Sequence, residues 1–466
     1  MTEAEILTEI INNCDPIAPA GARFYEDCTA ARGGDAFARD LCKELAQSRV
    51  RIHQLFTGHI GGGKSSELKH LADRMNIKVP LGAQKRFFPV IVNVLEYVEE
   101  NNGAVEFVLL AAVEELAKVL RRDFATETAP KPLPSFIEGI RGLLLTPIRL
   151  SEIKVTGAPI EATFTNLRSS PTAREIVLDA VRGNEARLRE SINEYLKLAR
   201  DTITAHPVPE GEHPYTDLVL ILDGMDRIET VIGRARGGES HRALFIDGAD
   251  DFISLDASVV YTAPLSLIRS EGNVLGTLYA RDPFVLPMVK TEERAKRDEA
   301  GTITHPNYET GRETLTRLLQ KRMPPGVALA SVITDDALDF LLKYSGGHIR
   351  SLLRFMRDAA LKTDDTLPIV LNAAQQAIRR NVGVLVGGLN GLDWDYLAEL
   401  ETSEEQLWNN EEERHRKMLE DGYVYEYVNG GEHTVFTSAA QWYAVNPIVR
   451  ELNPFKSAVE QAKLKG

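Results

Sequence analysis

Residues 50–66 read Val-Arg-Ile-His-Gln-Leu-Phe-Thr-Gly58-His59-Ile60-Gly61-Gly62-Gly63-Lys64-Ser65-Ser66. Val50–Thr57 is rich in strand formers, and Ser65–Met75 places Leu68, Leu71 and Met75 on one helical face. Between strand and helix lies a match to G-x-x-x-x-G-K-[ST]. Small residues there let backbone N–H groups turn inward around phosphates. The helix that follows points its positive end at them. In this pattern Lys64 reaches the β- and γ-phosphates, the backbone from Gly58 to Ser66 forms the cradle, and Ser65 offers its hydroxyl to Mg²⁺. A glycine-rich turn that binds nothing is the bland alternative, and the strand–loop–helix context weighs against it.

Farther along, Leu218–Asp223 reads LVLILD. A continuous apolar run suits a strand buried on both faces of a parallel sheet. Its terminal acid falls where open α/β sheets bind ligands, so Asp223 is the candidate Mg²⁺ acid. Asp226, three residues on, is the candidate for orienting an attacking water. Phe88–Leu95 and Ala257–Thr262 are further strands, and Ala104–Phe124 is a long helix. Strands alternating with helices imply a doubly wound parallel sheet. A charged helix is expected from about Ala173 to Ala205, inside an elaboration of the core over residues 125–215.

From Gly311 the pattern turns helical: Gly311–Met323, Asp335–Tyr344, His348–Leu361 and Ile369–Arg380. After Gly387–Gly391, helices at Trp394–Leu400 and Glu404–Leu419 precede an expected hairpin, Tyr423–Val428 with Thr434–Phe436 around Asn429–Gly431. The fold class expected is α/β: a doubly wound P-loop core followed by an all-α lid and a small α+β winged-helix module. The divisions are 1–45 (a helical, adenine-side segment), 46–305 (core), 306–385 (lid) and 386–466 (winged-helix-like module).

The motif pair resembles that of AAA+ ATPases and their signalling relatives, the STAND ATPases. Asp223-Gly-Met-Asp226-Arg is similar to the NACHT-type Walker B, in which a small residue and a second acid follow the metal aspartate. It departs from the adjacent Asp-Glu pair of most AAA+ motors. The resemblance implies ATP and Mg²⁺ as cofactors and hydrolysis to ADP and phosphate. It makes Thr262, at the end of Ser258–Thr262, a polar sensor. It makes Arg350, in Gly346-Gly-His-Ile-Arg350, a second sensor in the lid. It also puts the adenine near Tyr25–Arg32. AAA+ enzymes borrow an arginine from a neighbouring subunit, and Arg234, Arg236 and Arg242 lie in the right interval, with nothing to select among them.

The resemblance leaves open what the nucleotide drives. One reading is a switch controlling assembly or a protein partner, with a homo-oligomer in the ATP state. The alternative is a DNA-binding initiator or loader acting through the winged helix. DNA is not favoured: residues 404–416 read EEQLWNNEEERHR, whereas a DNA-binding helix carries Lys and Arg along one face. A small-molecule kinase is a third reading, opposed by the sensors and the lid.

Bulk numbers set outer limits. The 466 residues suggest about two to three domains. A net charge of −14 opposes non-specific coating of nucleic acid. Three scattered cysteines, Cys14, Cys28 and Cys42, fit free thiols in a reducing, cytoplasmic setting rather than a disulfide framework. No apolar stretch approaches the ~20 residues of a membrane span. The ten histidines form no zinc-spaced cluster.

Overall fold

The computed structural model describes residues 1–17, 19–79, 85–101, 103–124, 178, 181, 184–229, 238–297, 303–403, 405–410, 412–430 and 441–465. It divides into two compact units. One comprises Phe37–Thr57 and Leu71–Phe284; the other comprises Met1–Ala36, Gly58–His70 and Val285–Gly466.

The first unit is built on the sheet. Its strands are β1 (His53–Gly58), β2 (Phe87–Asn93), β3 (Asp217–Asp223), β4 (Ser258–Thr262) and, at the unit boundary, β5 (Phe284–Leu286), in the order β2-β3-β4-β1-β5. The pairs β2–β3, β3–β4 and β4–β1 are all parallel. From β1 the chain leaps to the far edge at β2, walks back through β3 and β4, then passes beyond β1. That reversal is the doubly wound pattern expected from the sequence.

The five residues Leu218–Leu222 are buried, which is why the run carries no polar alternation. Helices α2 (Phe37–Gln47), α4 (Val105–Asp123), α5 (Glu185–Ala205) and α6 (Leu265–Leu278) belong to this unit. The expected helix from Ala173 is seen from Glu185; most of its beginning, like most of the 125–215 elaboration, lies outside the described residues. At the amino ends of the strands, Arg200 Nε donates to Asp217 (3.0 Å) and Arg51 Nε to Asp256 (3.0 Å). This ion-pair network ties β1, β3 and β4 at one edge, and their carboxyl ends share the opposite edge.

The second unit holds α1 (Glu3–Asn13), the start of α3 (Lys64–Met75), and the helices α7 (Glu309–Gln320), α8 (Asp335–Ser345), α9 (Ile349–Ala360) and α10 (Leu371–Val386). Leu7 and Ile10 of α1 join Leu315, Leu341, Leu352 and Phe355 in one apolar core. A Thr2–Glu5 capping box starts α1. Farther on come α11 (Gly391–Thr402), α12 (Glu413–Glu420) and α13 (Asn453–Lys465), with an antiparallel pair of strands, β6 (Val424–Val428) and β7 (Gln441–Val445).

Two expectations change here. The helix expected over Glu404–Leu419 begins only at Glu413. Tertiary hydrogen bonds hold the preceding segment out of helical form: Gln406 accepts from Ala295 N–H (2.9 Å) and from Tyr443 N–H (2.9 Å). Trp408 Nε1 donates to the His415 carbonyl (3.0 Å). The partner of β6 is Gln441–Val445, which buries Trp442 against Tyr427; the expected partner Thr434–Phe436 lies outside the described residues.

All three cysteines are free. Burial pushes the Cys14 thiol up to about 12 and those of Cys28 and Cys42 to about 11, so none is a reactive thiolate at neutral pH. No described helix is long and apolar enough to cross a membrane.

Candidate functional site: the glycine-rich loop and the acidic strand end

The loop that follows β1 is held by its carbonyls. Lys64 Nζ donates to Gly58 O (2.7 Å) and His59 O (3.2 Å). His348 Nε2 donates to Ile60 O (2.7 Å). Arg350 N–H donates to Gly61 O (3.1 Å), and Arg32 Nη2 to Gly62 O (2.6 Å). The first turn of α3 takes Gly63 O, through Ser66 N–H (3.1 Å) and Glu67 N–H (3.0 Å). Each carbonyl from Gly58 to Gly63 therefore has a donor. In a planar trans peptide the N–H points opposite to the C=O. Pinning a carbonyl therefore turns the N–H of the same peptide away from the pinning donor, and Gly62 N–H is bound to His59 O (3.0 Å).

Gly61 occupies a position that the motif leaves open, yet this loop needs glycine there. Its φ is +89°, and a Cβ on it would lie 2.6 Å from His348 Cε1. Only a residue without a side chain combines that backbone with that neighbour.

The surroundings are cationic. Arg32 and Lys64 are only 6% and 7% exposed. Among the described residues Arg32 forms no ion pair; Arg32 Nη1 is spent on the Pro287 carbonyl, and its buried Nε has no hydrogen-bond partner. A buried charge without a counter-ion is costly. His348 Nδ1 accepts from Ser351 N–H (3.1 Å), so Nε2 carries the proton given to Ile60. Burial pushes the His348 pKa down to about 4, aided by the positive charges of Arg350, Arg354 and Lys64. The ring is neutral at neutral pH, as its two hydrogen bonds require.

Of the loop side chains, His59 is buried, and its Nε2 accepts from Glu426 N–H (2.9 Å). Ser66 Oγ accepts from Ala20 N–H (3.0 Å). Ser65 sits in the first turn of α3. In the segment expected against the base, Tyr25 stacks on His70 (centroids 4.1 Å apart) and its hydroxyl donates to Glu67 (3.1 Å).

The acidic strand end belongs to the sheet unit. Asp223 closes β3 in register with Asn93 of β2. Gly224 follows with φ +90° and a Leu95 side chain 3.0 Å from where its Cβ would be. Asp223 Oδ1 accepts from Gly224 N–H (2.9 Å). Thr262 is fully buried at the end of β4; its hydroxyl accepts from Met225 N–H (3.0 Å) and donates to Leu222 O (3.2 Å). The structure thus brings Thr262 together with the Asp223–Asp226 turn. Asp226 and Glu229 act electrostatically on buried His241, whose pKa burial lowers. Arg242 pairs with Glu271; Arg234 and Arg236 lie outside the described residues.

Three holders of the loop were not assigned that task from sequence: Arg32, His348 and the main chain of Glu426. His348 stood inside the quoted Gly346–Arg350 stretch, but nothing in its spacing announces a bond to a loop carbonyl 288 residues earlier.

No family model and no curated protein matches the sequence. Among solved structures, the chain is similar to a Walker-type ATPase of Pyrococcus abyssi, with 14% identity, a TM-score of 0.42, and 95% of this chain and 99% of that one covered. It is also similar to Cdc6p of Pyrobaculum aerophilum, with 11% identity, a TM-score of 0.35, and 92% and 93% covered. Likenesses this distant decide nothing about activity.

Proposed function

We propose that the protein binds MgATP on the Gly58–Ser66 loop and hydrolyses it, using nucleotide state to control its own assembly or a partner protein. The observation that carries this is the pinning of every carbonyl from Gly58 to Gly63, beside the buried cations Arg32 and Lys64. A loop with its carbonyls held back and a helix amino-terminus behind it is suited to a polyphosphate.

Lys64 exchanges its loop carbonyls for the β- and γ-phosphates. Ser65 and Asp223 supply hard oxygen ligands, which suit Mg²⁺. Among the described residues no cluster of three His, Cys, Asp or Glu is placed to hold a metal; an ion bound chiefly by phosphate and water requires none. The metal would neutralise charge that develops on the phosphates. Asp226 orients the attacking water, Thr262 braces the turn that carries Asp226, and the Arg350 side chain leans over the bound nucleotide and reports whether the γ-phosphate is present.

The STAND-like spacing of Asp223 and Asp226 favours a switch over a motor. For the carboxy-terminal module we favour a protein partner over DNA. In α12, Arg414 Nε is bound to Asp393 (2.7 Å) and Arg416 Nη1 to the Asn410 carbonyl (2.9 Å), so these bases are already committed within the chain.

The test is Mg²⁺-dependent ATP turnover per protomer over a range of protein concentrations. Turnover that rises with concentration supports sites completed between subunits. Tight ATP binding with a flat, slow rate supports a switch awaiting its partner. An absence of both binding and turnover refutes the assignment.

A further inference from the structure

The loop is also gripped by a segment far away in sequence. The strand β6 enters beside it, and Glu426 N–H donates to His59 Nε2 while Glu426 O accepts from Met288 N–H (3.1 Å). The neighbouring Tyr425 is buried and lies parallel to His348 (centroids 5.8 Å apart, 7° between planes) and edge-on to His59 (5.7 Å, 87°). Tyr425 is itself fixed, with its hydroxyl accepting from Asn446 Nδ2 (3.0 Å). Tyr427 donates to the Gly346 carbonyl (2.7 Å), at the start of the Gly346–Arg350 stretch that pins Ile60 and Gly61. Two consecutive hairpin residues thus touch both histidines of the loop's surroundings. One histidine is part of the loop, and the other holds the Ile60 carbonyl.

We propose that Tyr425 and Glu426, with His59 and His348, are positioning residues for the phosphate loop: the β6–β7 hairpin presets the loop carbonyls, and nucleotide binding and hairpin docking stabilise each other. This rests on the phosphate-binding role given to the loop above. The physical reason is differential ordering. A loop already fixed in its binding form gives up less freedom on capturing a ligand. Reciprocity is required by linkage: if the docked hairpin raises affinity for a polyphosphate, the polyphosphate raises the stability of the docked hairpin by the same factor.

The experiment measures MgATP, MgADP and AMP dissociation constants for the full chain and for His59→Leu, His59→Gln, Tyr425→Leu and the His59→Leu/Tyr425→Leu pair. Hydrogen exchange across residues 424–428 is followed with and without MgATP. His59→Leu and Tyr425→Leu each weaken MgATP and MgADP about tenfold, with AMP, which lacks the β-phosphate, shifted less. The pair loses less than the product of the two single effects, because both act through one contact. His59→Gln keeps an acceptor for Glu426 N–H and stays within about threefold of the unaltered chain. MgATP slows exchange at 424–428 in the unaltered chain and not in the pair.

If the unaltered chain binds MgATP and all variants bind it equally, with exchange at 424–428 indifferent to nucleotide, the hairpin has no positioning role. If the unaltered chain binds no nucleotide, the reading of the loop itself fails. If Tyr425→Leu does not fold, the His59→Leu and His59→Gln comparison decides alone: equal affinities overturn the proposal.

Discussion

The glycine-rich loop and the Asp223–Asp226 turn are held by different means. The turn is fixed by its sheet. Asp223 is in register with Asn93, Leu222 with Tyr261, and a single threonine on the adjacent strand receives Met225 N–H. The loop is held by donors from remote stretches: Arg32 reaches Gly62 across 30 positions, His348 reaches Ile60 across 288, and Glu426 reaches His59 across 367. An acid that must sit at one fixed point can be placed by backbone register, which is stiff and local. A loop that must accept a ligand and release it is better held by separate donors, main-chain and side-chain alike, because each contact can be exchanged singly.

The sharpest test of this contrast is Lys64→Ala. It removes the donor to two loop carbonyls and the proposed phosphate ligand together, and MgATP turnover should fall by about 10³-fold. Near-normal kinetics would refute the cradle. Asp226→Asn acts on the turn, which the sheet holds regardless, so ATP binding is expected to persist while hydrolysis slows about 10²-fold. Lost binding in that variant would mean that the turn shapes the loop after all.

Gly61→Ala places a Cβ against His348 at φ +89°. It should cost about 2 kcal/mol, seen as weaker MgATP binding with the sheet intact by circular dichroism. Full affinity would show that His348 yields freely.

The smallest effect is titration of His348. Its folded pKa, about 4, lies below its ordinary value of 6.5. The unfolded chain therefore binds more protons between those values, and stability rises with pH across that window. The contribution is complete above about pH 6.5 and is lost as pH falls towards 4. For a ring that is only half-buried it amounts to about 1 kcal/mol. His348→Gln should flatten that part of the urea-midpoint profile, and an unchanged slope would assign it to another group, such as His53, which burial also lowers to about 4.

Much of this was legible in the sequence for a physical reason. The run Leu218–Leu222 declares a doubly covered strand because burial on both faces leaves no polar alternation. The loop motif declares itself because phosphate binding constrains consecutive residues. The pins were not legible, since Arg32 and His348 act through a fold that no local spacing encodes. Residues 405–410 misled for a similar reason: Gln406 and Trp408 carry adequate helix propensity, and tertiary bonds to Ala295, Tyr443 and His415 override it. Likewise the partner of β6 had to be found by pairing, and Gln441–Val445 carries no turn signal of its own.

The contact between Glu426 and His59 also bears on the order in which the protein is made. A ribosome adding roughly 5–20 residues per second needs on the order of 20–70 s to travel the 367 positions that separate them. Over the last part of that interval, once Thr262 has been added, the nascent chain carries the entire glycine-rich motif and the strands on either side of Asp223, yet lacks the hairpin main chain that receives the His59 ring. On the proposed role of the hairpin, a growing or interrupted chain is a weak competitor for nucleotide, and tight capture becomes a property of finished molecules.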